Sequence, residues 1–125
     1  MRVLVTENDP LVQRYLAQQA AELGAELVFA RDGAEARRAI DDCDPDCIVL
    51  DTASSVEETV PLWRALRRDP ETQHLPLLLY SSSQRWQCVA ELAAREVDGL
   101  LPRPFSAAAL LEAAQRASTR RAALA

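Results

Sequence analysis

Short apolar runs alternate along the chain with longer stretches of helical periodicity. The apolar runs cover residues 3–5, 27–29, 47–50 and 77–80, and a weaker one covers 99–101. Runs that are continuously apolar, rather than alternating with polar residues, are typical of strands covered on both faces. Alternation of such strands with helices predicts one α/β domain with a parallel sheet between two helical layers and right-handed crossovers.

The first helix has clear start and stop signals. Asp9 precedes Pro10, which predicts Asp9 as the N-cap and Pro10 as the first helical residue. Gly24 is predicted to end the helix in the left-handed conformation. Between them, apolar residues spaced by three and four predict one buried stripe, made of Leu11, Val12, Tyr15, Leu16, Ala20 and Leu23.

Four further helices follow the later strands. Asp32 opens the second, the third ends before Asp69, a fourth passes through residues 89–93, and Ser106 caps the last. The final residues are expected to fray. We therefore predict a domain over residues 1–118 and a frayed tail over 119–125.

Composition narrows the class of protein. The 125 residues are 49% hydrophobic and carry a formal net charge of −5, with acidic and basic residues interspersed. This balance argues against direct binding of nucleic acid, which requires a basic face. The apolar runs are too short to cross a membrane, and no signal region precedes the first strand, so we expect a cytoplasmic protein.

The number of cysteines also indicates a reducing compartment. The chain has three cysteines, Cys43, Cys47 and Cys88, and an odd number favours free thiols over a disulfide framework. The only histidine is His74, and the spacing of these residues does not match the usual four-ligand zinc sites. We interpret the cysteines as small buried or half-buried residues.

The residues that follow the predicted strands carry the candidate chemistry. In an open parallel sheet, ligands bind beyond the carboxyl ends of the strands. An aspartate there can act as a nucleophile, while oxygen ligands hold Mg²⁺ and a cation with a hydroxyl binds phosphoryl oxygens. The residues at this edge are Thr6, Glu7, Asn8 and Asp9, then Asp51, then Ser81 and Ser82, then Pro102, Arg103 and Pro104.

Each of these residues taken alone has a simpler interpretation. Glu7 could be a solvated loop acid, Asp9 only an N-cap, and Asp51 a turn residue. Their joint placement at one sheet edge favours a site for a divalent cation and a phosphoryl group.

The order of the motifs resembles the receiver domain of bacterial two-component response regulators, of the CheY-like superfamily, over essentially the whole chain. The matching stretches are V-L-V-T-E-N-D-P, C-I-V-L-D, L-P-L-L-L-Y-S-S and L-L-P-R-P-F. The resemblance implies a flavodoxin-like sheet of strand order 2-1-3-4-5. It implies Asp51 as phosphoryl acceptor, with Ser81 and Arg103 on the phosphoryl oxygens. It also implies Mg²⁺ on Glu7 (through water), Asn8, Asp51 and the backbone carbonyl of Ala53.

The chain departs from the family pattern at several positions. Asn8 stands where the family usually has an acid that contacts Mg²⁺, which should weaken metal binding. Arg103 replaces a lysine, and its planar fork is not equivalent to a compact ammonium. Leu100 occupies the position of the family's switch aromatic, and Thr59 that of a glycine.

Two functions follow from the resemblance. In the first, Asp51 receives a phosphoryl group from a histidine kinase or phosphotransfer protein. The signal then passes to a downstream protein through the surface of the fourth helix, fifth strand and last helix. In the second, the chain is a degenerate receiver that binds partners without phosphorylation.

Neither function makes the chain an enzyme beyond self-phosphorylation and autodephosphorylation. A dehalogenase-type hydrolase is disfavoured because Ala53 stands where that family has a second aspartate. With glycines only at Gly24, Gly33 and Gly99, the chain has no Gly-rich phosphate loop. The oligomeric state, a homodimer included, stays open.

Overall fold

A computed structural model describes residues 1–51, 56–81, 96–102 and 105–124 of the chain. Within it, five parallel strands form one sheet of order β2-β1-β3-β4-β5, as the resemblance predicts. The strands are β1 (Arg2–Thr6), β2 (Glu26–Ala30), β3 (Cys47–Asp51), β4 (Leu77–Ser81) and β5 (Gly99–Pro102). The fold class is therefore confirmed as a doubly wound, flavodoxin-like α/β sheet.

The described helices are α1 (Pro10–Glu22), α2 (Gly33–Cys43), α3 (Val56–Arg68) and α4 (Ala107–Leu124). The start signals of α1, α2 and α4 are those predicted from sequence. The Asp9 side chain accepts from Leu11 N, Asp32 accepts from Glu35 N, and the Ser106 hydroxyl accepts from Ala109 N. Gly24 has a φ of +77°, as expected for a residue that turns the chain after a helix. The helix predicted through residues 89–93 lies outside the described residues.

Two apolar cores cover the two faces of the sheet. Successive strand residues alternate between them, as a pleated strand requires. Val3, Val5 and Val49 pack with α1 and α4 on one face, which we call the first core. Leu4 and Ile48 pack with α2 and α3 on the other, the second core. The interior positions of the strands are apolar because both faces are covered.

The buried stripe of α1 is narrower than the periodicity suggests. Leu16 and Ala20 are buried, whereas Leu11 and Tyr15 are 74% and 60% exposed. Leu23, expected in the same stripe, is also mostly exposed. The prediction of one continuous buried stripe is therefore wrong for these three residues, because the contact with the first core uses a narrower face of the helix, the one that carries Val12, Leu16 and Ala20.

A buried carboxylate lies at the opposite edge of the sheet from the candidate site. The Asp98 side chain, just before β5, has no exposed surface and accepts from Leu77 N. It pairs with Arg67 at 3.1 Å, with Arg121 at 2.9 Å, and with Arg120. We call these four residues the Asp98 cluster. It joins the end of α3, the start of β4 and the end of α4.

Arg67 makes several hydrogen bonds besides its pair with Asp98. Its guanidinium also donates to the backbone carbonyls of Gln73, Leu75 and Glu96. Burial, followed by the neighbouring Arg121 guanidinium, lowers the pKa of Arg67 to about 10, so the group is charged at neutral pH. The positive charge is thus held inside the fold by one carboxylate and three carbonyls.

The Asp98 cluster corrects two expectations. Residues 119–125 are expected to fray, whereas α4 continues through Leu124 because Arg120 and Arg121 are paired with Asp98. Arginine on a helix is also expected to be solvated, but the side chains of Arg67 and Arg121 are only 9% and 13% exposed. Whether the domain ends at residue 118 as a folding unit stays a prediction.

The described cysteines fit the interpretation as buried or half-buried thiols. Cys43 is half-buried and Cys47 is fully buried, and both are free. Burial raises the pKa of the Cys47 thiol to about 12, and the nearby Asp98 charge adds to the rise. A thiol with so high a pKa is unreactive at neutral pH.

Candidate functional site

The backbone brings the predicted site residues to the carboxyl edge of the sheet. Asp51 and Ser81 are the last residues of the neighbouring strands β3 and β4, one position further than the sequence suggests. In the ladder, Asp51 is the partner of Tyr80, and Ser81 is the partner of Pro102. The position before Arg103 is therefore adjacent to Ser81 across the sheet.

Glu7 is the most firmly placed acid at this edge. It follows β1, is 7% exposed, and its Oε1 accepts from the backbone N–H groups of Asn8 and Asp9, both at 3.1 Å. The Glu7 N–H itself donates to the carbonyl of Ala30 at 2.8 Å. The carboxylate is thus oriented by the turn that connects β1 to α1.

The neighbouring polar residues divide into two roles. Asn8 is exposed, so its amide stays accessible to a ligand. Asp9 is committed to the helix start, because its Oδ1 accepts from Leu11 N at 2.9 Å. The interpretation of Asp9 as an N-cap is therefore confirmed.

Two further side chains form hydrogen bonds at this edge. The Gln13 side-chain amide, in the first turn of α1, donates to the Glu7 carbonyl at 2.6 Å. The Thr6 hydroxyl donates to the Val49 carbonyl at 3.3 Å and ties β1 to β3 near Asp51. Sequence reasoning missed Gln13. Its position six residues after Glu7, just past the predicted cap, is the signal that could have revealed it.

An aromatic pair lies next to the ends of β4 and β5. The rings of Tyr80 and Phe105 are 4.6 Å apart between centroids and cross at 85°, an edge-to-face contact. Tyr80 is buried in the first core, and Phe105 packs against it. Leu100, at the position of the family's switch aromatic, packs on the second core instead.

Several predicted site residues have little or no structural description. Ala53 and Arg103 lie outside the described residues, and Asp51 and Ser81 are described by their backbone alone. Among the described residues, no group of three or more histidines, cysteines or acids could hold a metal ion by itself. The Glu7 carboxylate and Asn8 amide nevertheless supply the oxygen donors that Mg²⁺ prefers, so the residues present fit this ion.

Comparisons with known proteins agree with this architecture. The chain is 29% identical to the transcriptional regulatory protein PhoP of Escherichia coli K12 over 105 residues. This alignment covers 84% of this chain and 46% of the relative. The virulence regulator PhoP of Shigella flexneri matches with the same identity and coverage. The chain thus spans about half the length of the curated relatives it matches.

Solved structures share the fold at lower identity. A sensor protein from Polaromonas sp. JS666 superposes with a TM-score of 0.79 at 24% identity, over 96% of this chain and 97% of that one. The chemotaxis response regulator CheY4 of Vibrio cholerae gives 0.76 at 23% identity, over 93% and 97%. The sequence profile described as the response regulator receiver domain matches residues 3–115. The chain therefore belongs to the response regulator receiver domain family of two-component signalling proteins.

Proposed function

We propose that Asp51 accepts a phosphoryl group from the phosphohistidine of a partner histidine kinase or phosphotransfer protein. The observation that carries this proposal is the place of Asp51. It ends β3 at the carboxyl edge, beside the end of β4 and near the oriented carboxylate of Glu7. Ligands of open parallel sheets bind at this edge.

The chemistry is a transfer between two nucleophiles. A carboxylate oxygen of Asp51 attacks phosphorus, a P–O bond forms, and the P–N bond to the donor histidine breaks. The released imidazole nitrogen keeps the electron pair of that bond and takes up a proton from solvent. Hydrolysis of the resulting acyl phosphate by water returns Asp51 and inorganic phosphate.

The remaining site residues have charge-balancing roles in this proposal. Ser81 and Arg103 bind the phosphoryl oxygens. Glu7 (through water), Asn8, Asp51 and the Ala53 carbonyl would hold Mg²⁺, which when bound screens the repulsion between carboxylate and phosphoryl group. The two backbone N–H groups bind Oε1 of Glu7, so Oε2 is the oxygen suited to accept from metal-bound water.

The proposal extends to partners and place of action. We infer that the domain works in the cytoplasm, where kinase and downstream protein are present. The downstream partner would bind the surface that the resemblance implies, of which β5 and α4 belong to the described residues. In the described residues, no helix is both long and apolar enough to span a membrane.

Intact-protein mass spectrometry after incubation with acetyl phosphate and Mg²⁺ tests this function. We expect one labile phosphoryl adduct on the wild type and none on Asp51→Asn, because the amide is not a nucleophile. Asp46→Asn is the matched control, since Asp46 lies just before the other end of β3 and should leave the adduct unchanged. Absence of an adduct on the wild type at every Mg²⁺ concentration contradicts the proposal.

The second candidate function is a degenerate receiver that binds partners independently of phosphorylation. Two observations favour it: the exposed Asn8 in place of a metal-binding acid, and the packing of Leu100 in the second core. In this case a partner would bind wild type and Asp51→Asn with equal affinity, measured by titration calorimetry. Preference for the phosphorylated form would exclude this candidate.

A further inference from the structure

The strand β2 forms one lateral edge of the sheet and pairs with β1 along its whole length. The Glu26 N–H donates to the carbonyl of Met1, and the carbonyl of Ala30 accepts from the N–H of Glu7. A strand directs the backbone groups of alternate residues to opposite sides. Glu26, Val28 and Ala30 therefore direct their N–H and C=O groups toward β1.

The N–H and C=O groups of Leu27 and Phe29 consequently point away from the sheet. In the part of the chain that the structure describes, no other strand or side chain forms a hydrogen bond with these groups. Phe29 packs against the first core and Val28 against the second, and both side chains are only partly buried. The open row of backbone groups is thus flanked by apolar side chains on both faces, which makes it a template for another strand.

The opposite lateral edge, formed by β5, has features that protect it against such pairing. β5 is only four residues long and ends in Pro102, which has no N–H to donate. β2 instead reads Glu-Leu-Val-Phe-Ala, with neither proline nor lysine, and its register with β1 is continuous without a bulge. Short strands, prolines, lysines and bulges are the usual protection of an open edge, so β2 is the edge suited to receive a partner strand.

We propose that β2 pairs in antiparallel orientation with β2 of a second copy of this chain, so that the two sheets join around a two-fold axis. Val28 then lies opposite Val28 of the second copy, and Leu27 lies opposite Phe29. Each pair of Leu27 with Phe29 exchanges both of its N–H···O=C bonds, which satisfies every outward-pointing backbone group of the strand. This inference does not depend on the proposed function.

The charges at the two ends of β2 favour a second copy as the occupant. Glu26 begins the strand and Arg31 follows its last residue, and their side chains are 60% and 76% exposed. In an antiparallel pair, Glu26 of each copy lies beside Arg31 of the other, whereas a parallel pair would bring like charges together. Their partners within the chain, Arg2 and Glu35, form exposed ion pairs that contribute little to stability. The edge is therefore complementary to itself.

The size of the contact sets its expected strength. A contact between strands of five residues is smaller than the roughly 1,200 Å² buried in a standard interface. We therefore expect a reversible dimer with a dissociation constant on the order of 100 μM. Because the paired strands run in opposite directions, the carboxyl edges of the two sheets point away from each other, and both candidate sites stay accessible.

Amide hydrogen exchange of the wild type, followed by NMR, tests the geometry of this pairing. The exchange rates are compared at about 1 mM and about 20 μM protein, because the dimer dissociates on dilution. The Leu27 and Phe29 amides should exchange about 3-fold or more slowly at the higher concentration. The Val28 amide, which points toward β1, is the internal control and should not change. Equal rates for Leu27 and Phe29 at the two concentrations would overturn the inference.

A charge swap, measured by sedimentation equilibrium, tests the occupant and its orientation. Arg31→Glu brings two acidic residues together at each end of the paired strands, and we expect the dissociation constant to rise about tenfold. Glu26→Arg combined with Arg31→Glu should restore the wild-type value. Arg116→Glu, at an exposed position of α4, is the matched control and should have no effect.

Three outcomes of this experiment would overturn the inference. They are a monomer at every concentration, a charge swap that does not restore association, and a dimer that is weakened by Arg116→Glu but not by Arg31→Glu. The last outcome would move the interface to the surface of α4. Circular dichroism and urea unfolding verify that each variant is folded, and the exchange measurement on the wild type needs no variant.

Discussion

The sheet has a buried carboxylate at the edge where its strands begin (the amino edge) and another at the edge where they end (the carboxyl edge). The two carboxylates have opposite surroundings. At the amino edge, Asp98 is fully buried and surrounded by three guanidinium groups. At the carboxyl edge, the Glu7 side chain is oriented by two backbone N–H groups in the described part of the chain. Both residues are acids with almost no exposed surface, yet among the described residues only Asp98 is paired with guanidinium groups.

We interpret Asp98 as a residue that stabilises the fold and Glu7 as a residue of the proposed binding site. The Asp98 carboxylate is compensated by cations of the protein itself, so it has no charge left for a ligand. The Glu7 carboxylate is held by neutral donors, which fix its direction without cancelling its charge. We expect substitutions at the amino edge to act on folding and substitutions at the carboxyl edge to act on metal and phosphoryl binding.

The largest effect should come from removing the central acid of the Asp98 cluster. Asp98→Ala leaves buried guanidiniums without their carboxylate and Leu77 N–H without its acceptor. We expect the free energy of unfolding, measured in urea, to fall by about 3–5 kcal/mol. Glu112→Ala is the control, since its exposed pair with Arg116 should contribute less than about 0.5 kcal/mol. A loss below that of the control would mean that the arginines reach solvent readily.

The second largest effect concerns metal binding at the carboxyl edge. Asn8→Asp adds a carboxylate beside Glu7, and we expect the affinity for Mg²⁺ to rise about tenfold from the added attraction. Titration calorimetry measures this affinity, with Asp46→Asn at the opposite edge as a variant that should not change it. An unchanged affinity in Asn8→Asp would remove Asn8 from the proposed metal site.

Alkaline pH should weaken the amino edge through Cys47. Its pKa is about 12 in the folded protein and about 9 when unfolded, so only the unfolded state loses this proton between those values. The stability contributed by the protonated thiol is complete below pH 9 and is lost as pH rises toward 12. We expect the unfolding free energy to fall by about 1 kcal/mol from pH 8 to pH 10 through this residue.

The matched measurement is the same pH series on Cys47→Ala. Its overall stability will differ, but its slope between pH 8 and pH 10 should be shallower than that of the wild type. Equal slopes would show that the thiol does not carry the pH dependence. Arg67, whose pKa is about 10, titrates in the upper half of this window and acts in the opposite direction, but it does so in both proteins.

The smallest effect concerns the backbone at the amino edge. Asp44 ends α2 with a φ of +48°, the left-handed conformation that favours glycine. We expect Asp44→Gly to raise the unfolding free energy by about 0.5 kcal/mol, as measured in urea. Asp42→Gly, inside the same helix, should instead lower it by about 0.3 kcal/mol. Destabilisation by both variants would indicate that the Asp44 side chain contributes more than its strain costs.

Local sequence signals were sufficient to predict most of the fold. The strands were predictable because burial on both faces requires continuous apolar runs, as in residues 47–50. The helix starts were predictable because a cap at Asp9, Asp32 or Ser106 depends on residues within one turn. The stripe of α1 was overestimated, because periodicity does not reveal how wide a face of the helix the opposing core covers.

The Asp98 cluster could not be predicted in the same way. Arg67 and Arg121 are 31 and 23 residues away from Asp98 in sequence, and arginine on a helix is normally solvated. Nothing local distinguishes the buried Arg121 from the exposed Arg116 on the same helix. The pairing depends on where the ends of α3 and α4 meet, which is a property of the tertiary structure.

The candidate site was predictable from the sequence only in part. The strand order and strand ends were predictable, so the common edge of Asp51, Ser81 and Glu7 followed from the fold pattern. The orientation of Glu7 was not predictable, because it depends on the exact path of the turn into α1 and on the amide of Gln13. The roles of Asp51, Ser81, Arg103 and Ala53 stay predictions.

The buried thiol of Cys47 is a natural probe for opening of the first core. Cys47 has no exposed surface and belongs to that core, so a thiol reagent reaches it only after the core opens around it. With Cys43 and Cys88 replaced by serine, the labelling rate counts those openings directly. Comparing this rate with and without a phosphoryl donor would show whether phosphorylation at the carboxyl end of β3 changes how often the structure around its amino end opens.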